Sequence, residues 1–237
     1  MSDITGTTLE IRHLRVSYGR VPVLRDVTIS VPAGSVVGLI GRNGAGKTST
    51  LRAVSGVIRR GGGQILLHGA PLPASPHKVA SLGVIHVPEG RGLIPGLSVY
   101  DNLRVGCAAV GKPLGADQLD FVATHFPKVP PLFDRKASLL SGGEQQMVAL
   151  ARGLVTEPTV LMVDELSLGL APKAVAEVLT ALLDATRSNA TSLLIVDQNV
   201  RALSKICDRL HYLHDGVSSE VGSDVTDETA LRSIYFS

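Results

Sequence analysis

Between Gly41 and Thr48 the chain reads Gly-Arg-Asn-Gly-Ala-Gly-Lys-Thr, and this octet limits the possible folds more than any other stretch. Its glycines admit backbone conformations that side chains forbid, so it reads as a loop, not as the middle of a helix or strand. Before it, Ser35 to Ile40 is a continuous apolar run of the kind buried in a parallel sheet. After it, Thr48 to Ile58 is predicted to be a helix, ended by glycines that reach Gly61-Gly62-Gly63. A GxxxxGK[ST] loop in that strand, loop, helix setting wraps its backbone N–H groups round phosphates, and the helix N-terminus adds the positive end of its dipole. Gly41, Asn43, Gly44, Ala45, Gly46 and Ser49 then form the cradle. Lys47 supplies a point charge for β- and γ-phosphates, and the Thr48 hydroxyl is placed to ligate Mg²⁺.

The rest of the chain agrees with an α/β fold. Leu9 to Val16 and Val23 to Val31 alternate apolar and polar residues across the turn-rich Tyr18-Gly19-Arg20, which predicts antiparallel strands. Gln64 to His68, Leu82 to Val87, Thr159 to Val163 and Thr191 to Val196 read as further strands, with an amphipathic helix from Pro172 to about Arg187. Alternation of strand and helix implies a parallel sheet. From Gly90 to about Val155 the pattern turns helical and is broken by Pro95, Pro113, Pro127, Pro130 and Pro131. The expected organisation is one domain, with 1–90 and 156–237 as catalytic core and β-subdomain and 91–155 as an inserted helical subdomain.

Two further motifs carry chemistry. Val160-Leu161-Met162-Val163 is an apolar strand ending in Asp164-Glu165, at the edge where parallel sheets hold their ligands. Asp164 suits the water shell of Mg²⁺, and Glu165 suits positioning or deprotonating an attacking water. Leu140-Ser141-Gly142-Gly143-Glu144-Gln145-Gln146 places a serine and two glycines ahead of a helix expected to begin near Glu144, which makes a second anion-binding helix N-terminus. One nucleotide cannot fill both sites if they lie apart, so a second chain is implied.

In this combination and order the sequence resembles the ATP-binding cassette family across essentially its whole length. The resemblance implies a P-loop core with an antiparallel β-subdomain and an inserted helical subdomain, binding ATP with Mg²⁺ and working as a head-to-tail dimer on transmembrane permease subunits. It implies that Ser141, Gly142, Gly143 and Glu144 act on the partner's ATP, that Tyr18 stacks on adenine, and that Ser167-Leu168-Gly169-Leu170 meets the opposite subunit. Three positions depart from the usual pattern: Glu89 stands for the glutamine that links Mg²⁺ to the permease, Gln198 for a γ-phosphate histidine, and Leu166 for a proline. Glu89 remains a candidate metal ligand and Gln198 a candidate catalytic group. Val-Pro-Glu-Gly-Arg, Ser-Leu-Gly-Leu-Ala-Pro, Asp-Gln-Asn and the terminal Ser233-Ile234-Tyr235-Phe236 are similar to ATPases of branched-chain amino-acid importers. A urea or other small-solute transporter is the alternative; a soluble, non-transport ABC ATPase is disfavoured because the chain has one cassette and no long coiled coil.

Composition sets the remaining expectations. A net charge of +2 with no basic run longer than Arg59-Arg60 gives no footprint for nucleic acid. No apolar stretch approaches the roughly 18 residues of a membrane span, and Met1 to Thr8 is polar with none of a leader's pattern, so the chain is expected in the cytoplasm. The resemblance to subunits that dock on permeases implies a peripheral place on the cytoplasmic face of the membrane. A periplasmic or extracellular solute-binding protein enters only indirectly. Cys107 and Cys207 lack ligand spacing and are expected to be packing residues, and the sequon at Asn189 is read as coincidence.

Overall fold

The computed structural model describes residues 6–221, so the extreme N-terminus and Ser233-Ile234-Tyr235-Phe236 lie outside the described residues. β1 (Thr7–Tyr18) and β2 (Val21–Pro32) form the antiparallel hairpin their alternation predicts. β3 (Val36–Gly41) leads through the glycine loop into α1 (Lys47–Val54). α1 is shorter than the sequence suggested. Gly56 takes φ +74, a left-handed turn that ends the helix well before Ile58.

β4 (Gly62–Leu67) pairs antiparallel with β1, and the short β5 (Ala70–Pro71) closes that edge. α2 (Pro76–Ser81) precedes β6 (Val84–Val87). The proline-punctuated stretch then folds as α3 (Val99–Ala109), α4 (Ala116–His125) and α5 (Gly142–Leu154), with two short 3-10 turns between the last two. β7 (Val160–Asp164), α6 (Pro172–Ser188), β8 (Ser192–Val196), α7 (Val200–Leu203), β9 (Arg209–His214) and β10 (Val217–Val221) complete the described chain.

The strands run in the order β5-β4-β1-β2-β10-β9-β3-β8-β7-β6. From β9 to β6 every neighbour is parallel, the parallel sheet that the alternation of strand and helix predicts. β10 lies antiparallel to β9 and meets β2 at one pair, Val217 and Asp26. That seam is reinforced where the N–H groups of Arg25 and Asp26 donate to the Gly216 carbonyl at 2.8 and 3.0 Å.

Side-chain alternation splits the core into two layers. On β7, Leu161 and Val163 face the cluster that includes Leu103 of α3, Leu150 of α5 and Leu182 of α6, while Val160 and Met162 face the cluster of α1 and the β1–β2 hairpin. Both faces of the parallel sheet are thus covered, which is why β3, β7 and β8 read as unbroken apolar runs. Cys107 is buried in the first layer and Cys207 packs against it, as expected of inert thiols. No helix among the described residues is long and apolar enough to cross a membrane.

Candidate active site

β3 and β7 are parallel to β8 and end at one edge, so the glycine loop after β3, the carboxylates after Val163 and Gln198 after β8 converge there. A cleft of about 370 Å³ is lined by Asn43, Gly44, Gly46, Lys47, Thr48, Ser49, Glu89, Glu165 and Gln198, with Val23 and Leu168 on its walls. Gly41 and Ala45 belong to the same loop; Gly41 ends β3, and the Ala45 N–H donates to the Arg42 carbonyl at 3.1 Å. The helix after the loop starts at Gly46, whose φ of +108 suits glycine alone, and no side chain caps it. Its first N–H groups therefore point at the cleft without a partner from a capping side chain.

Lys47 is 4% exposed, and its ammonium donates to the carbonyls of Gly41 at 3.0 Å and Arg42 at 3.3 Å. It also lies 3.5 Å from Glu165 Oε1. The Glu165 carboxylate in turn accepts from the Gln198 amide at 3.3 and 3.2 Å. Glu165 sits at φ +52, a conformation costing on the order of 1 kcal/mol for a residue with a Cβ, and its N–H is tied to the Val196 carbonyl at 2.8 Å. Leu166, in place of a proline, is 2% exposed and packed into the core, so burial holds this corner.

Asp164, the residue before Glu165, is buried beside the cleft, only 2% exposed. Thr48 Oγ1 donates to its Oδ1 at 3.2 Å, while Oδ2 is buried with no hydrogen-bond partner. Burial pushes its pKa up from 3.8 to about 6, the Thr48 hydrogen bond opposes that, and the charges of Glu165 and Glu89 add to it. A buried oxygen without a partner, beside a hydroxyl and further carboxylates, forms an all-oxygen donor set of the kind small hard cations take. Among the described residues no group of three or more His, Cys, Asp or Glu is gathered to hold a metal, so phosphate oxygens and water have to complete any shell here. Tyr18 is 45% exposed beside the first turn of α1, with its hydroxyl 3.4 Å from Ser49 Oγ.

The Ser141 to Glu144 motif lies elsewhere. Those four residues line a second cleft of about 500 Å³ with Gly169, Leu170 and Lys128, and no phosphate-loop residue lines it. α5 begins at Gly142, earlier than expected, because Ser141 Oγ accepts from the Glu144 N–H at 3.4 Å and Glu144 Oε2 accepts from the Ser141 N–H at 2.7 Å. Those bonds hold the Glu144 carboxyl below its ordinary pKa. Glu144 is thus engaged as a cap.

Two contributors escaped the sequence reading. Asp197, directly after β8, accepts from the N–H and hydroxyl of Ser167, both at 2.8 Å, and so shapes the loop bearing Leu168. An acid immediately after a buried strand was the available signal. Arg91 donates to Gln145 Oε1 at 2.7 Å and Gln146 Oε1 at 3.3 Å, tying the segment after Glu89 to α5. Nothing in the local sequence marks that contact.

A doubly covered parallel sheet with a glycine loop, a buried lysine and two carboxylates at its carboxyl edge defines a P-loop nucleoside triphosphatase. Residues 24–167 match the ABC transporter family. The chain is 33% identical over 221 residues to the high-affinity branched-chain amino acid transport ATP-binding protein BraG of Pseudomonas aeruginosa, covering 92% of this chain and 94% of that protein. It is 30% identical to the lipopolysaccharide export system ATP-binding protein LptB of Escherichia coli, covering 96% of each. Its fold superposes on the ADP conformation of an ATP-binding cassette of an ABC transporter with a TM-score of 0.82, at 23% identity, over 97% of this chain and 98% of that one. The chain belongs to the ABC transporter family, and it is an ATP-binding, ATP-hydrolysing cassette.

Proposed function

We propose that the chain powers import of a small solute, branched-chain or other hydrophobic amino acids first, as one of two ATPase subunits held on the cytoplasmic face of transmembrane permeases. The observation that carries this reading is a separation: the cleft of Lys47, Thr48 and Glu165 and the cleft of Ser141 to Glu144 share no lining residue. A second subunit, turned head to tail, supplies the missing half of each site, with its Ser141, Gly142 and Gly143 facing the γ-phosphate. Leu168, 50% exposed on the wall of the first cleft, belongs to that contact. Tyr18 stacks on the base.

In the mechanism, Lys47 exchanges its bond to Glu165 for the β- and γ-phosphates, a charge-assisted contact. The Glu165 carboxylate, still oriented by Gln198, then takes the proton of the attacking water. Thr48, Asp164 and Glu89 would hold Mg²⁺, which when bound would neutralise phosphate charge. The orphaned Asp164 Oδ2 supports that assignment. For the permease, the apolar groove of about 410 Å³ that includes His86, Pro88, Val105 and Arg152 is the docking face, with the exposed Val57 on its wall.

The cargo reading rests on likeness to BraG and on the Val87-Pro88-Glu89-Gly90-Arg91 and Asp197-Gln198-Asn199 patterns, while likeness to LptB supports an export reading. Affinity purification from native membranes distinguishes them. Amino-acid permease subunits, with a periplasmic or extracellular solute-binding protein, are expected to co-purify, and ATP-dependent leucine uptake should need this chain. Co-purification with a lipopolysaccharide-export permease, or urea uptake in place of leucine uptake, overturns the cargo.

A further inference from the structure

Resting on the two-subunit reading above, we infer that Arg91 is a positioning residue for ATP hydrolysis: it transmits the placement of Glu89 in one cleft to the placement of Ser141 in the other. The path is short and specific. Glu89 lines the phosphate cleft. Next come Gly90, Arg91 and Gly92, all left-handed, with φ of +75, +71 and +59. Two glycines adopt that conformation freely, but arginine does not, so contacts made by Arg91 have to offset its cost.

Its guanidinium does this by forking onto α5, Nη1 to Gln145 Oε1 at 2.7 Å and Nε to Gln146 Oε1 at 3.3 Å. Gln145 passes the contact on. Its amide nitrogen donates to the carbonyls of Ala137 at 3.1 Å and Leu140 at 3.2 Å, and Leu140 is the residue before Ser141. The far end of α5 grips the same segment, because Arg152 donates to the Arg91 carbonyl at 3.1 Å and the Gly92 carbonyl at 2.7 Å. A separate observation concerns Gly142. A Cβ placed there would lie 3.2 Å from Arg91 Nη2, so the first signature glycine leaves the room that the guanidinium occupies.

Arginine is suited to this because its Nε and Nη1 donate from separate, fixed positions in one plane, one to each glutamine oxygen, whereas lysine would have to draw both oxygens to a single nitrogen. Movement of Glu89 toward a bound nucleotide therefore drags the first turn of α5, while the Lys47 contacts are untouched. Arg91→Gly removes the fork and places at φ +71 the residue that fits it best, so the backbone keeps its path.

The test uses the full chain in the Glu165→Gln background for binding and with native Glu165 for turnover. Arg91→Gly should bind ATP within about twofold of its parent and unfold at the same temperature. It should need tenfold or more ATP to reach half-maximal dimer and lose tenfold or more in kcat. Arg91→Lys, keeping one bond at most, should fall between them. If Arg91→Gly dimerises and turns over like its parent, Arg91 positions nothing. If its ATP affinity or unfolding temperature falls in step with kcat, Arg91 is a structural residue and the inference also fails. A parent that neither dimerises nor hydrolyses ATP overturns the two-subunit reading instead.

Discussion

The helices α1 and α5 begin in opposite ways. α1 opens at Gly46 with no capping side chain and no acidic residue in its first turn, leaving bare N–H groups over the cleft. α5 opens with the reciprocal Ser141 and Glu144 cap, so it already carries a carboxylate where a phosphate would sit. A bare terminus takes an anion at once, whereas a capped one contributes only when an anion is brought to it. The difference fits the proposed division, in which α1 captures the nucleotide and α5 makes the later, conditional contact.

The sharpest way to break that contrast is a paired substitution. Lys47→Ala should weaken ATP binding to the isolated subunit by a hundredfold or more, while Ser141→Arg should leave it unchanged and abolish hydrolysis; calorimetry beside a phosphate-release assay reads both. Equal loss of binding in the two variants would place both helices at one nucleotide. Glu165→Gln comes next, with turnover expected to fall by about 10² to 10⁴ while ATP binding persists. That variant should accumulate as an ATP-bound dimer, and a monomer in size exclusion with ATP and Mg²⁺ would count against the head-to-tail arrangement.

Asp164 offers a smaller effect with a definite sign. Its folded pKa, about 6, is raised above the 3.8 of the free side chain, so the folded state holds the extra proton between those values. The associated stability is present below about pH 4 and is lost as pH rises through 6. Asp164→Asn removes that loss, and the nucleotide-free variant should be more stable than the parent at pH 8 by on the order of 2 to 3 kcal/mol, with no gain at pH 4. His86, lowered to about 4 by burial and by Arg52, acts in the opposite sense across the same window. Urea titrations of variant and parent at each pH therefore need comparing with each other. Hydrolysis should be lost in the same variant, and a variant no more stable at pH 8 would show that Asp164 is not strained. The smallest expected effect returns to α5: Glu144→Gln keeps the cap but removes its charge, so ATP-driven dimerisation should tighten a few-fold. Weaker dimerisation would show that the carboxylate assists the partner's phosphate.

Much of this was readable before any coordinates. The strand and loop before α1, the hairpin, and the carboxylates after β7 are encoded locally, in glycine spacing and in apolar runs that two-sided burial requires. Local signals failed where a boundary or a role depends on a distant segment. α1 stops at Val54, and the left-handed Gly56 just beyond it lies against the backbone of Ala74, where a Cβ would come within 3.1 Å, so this boundary is tied to a later segment. Asp197 owes its importance to Ser167, and Arg91 to Gln145, pairs separated by 30 and 54 residues. β9 and β10 carry polar residues such as Arg209, His211 and Glu220, which hide them from a search for apolar runs.

The place of β3 in the sheet has a consequence for how the protein is made. This strand carries the phosphate loop, yet its neighbours β8 and β9 are synthesised long after it, and the Val36 N–H finds Asp208 across 172 residues. At about 5 to 20 residues per second, a ribosome needs roughly 9 to 34 s to supply that partner. Until β8 and then β9 emerge, the nascent chain has a complete phosphate-binding octet whose strand lacks both of its neighbours, so firm ATP affinity is expected to await their synthesis.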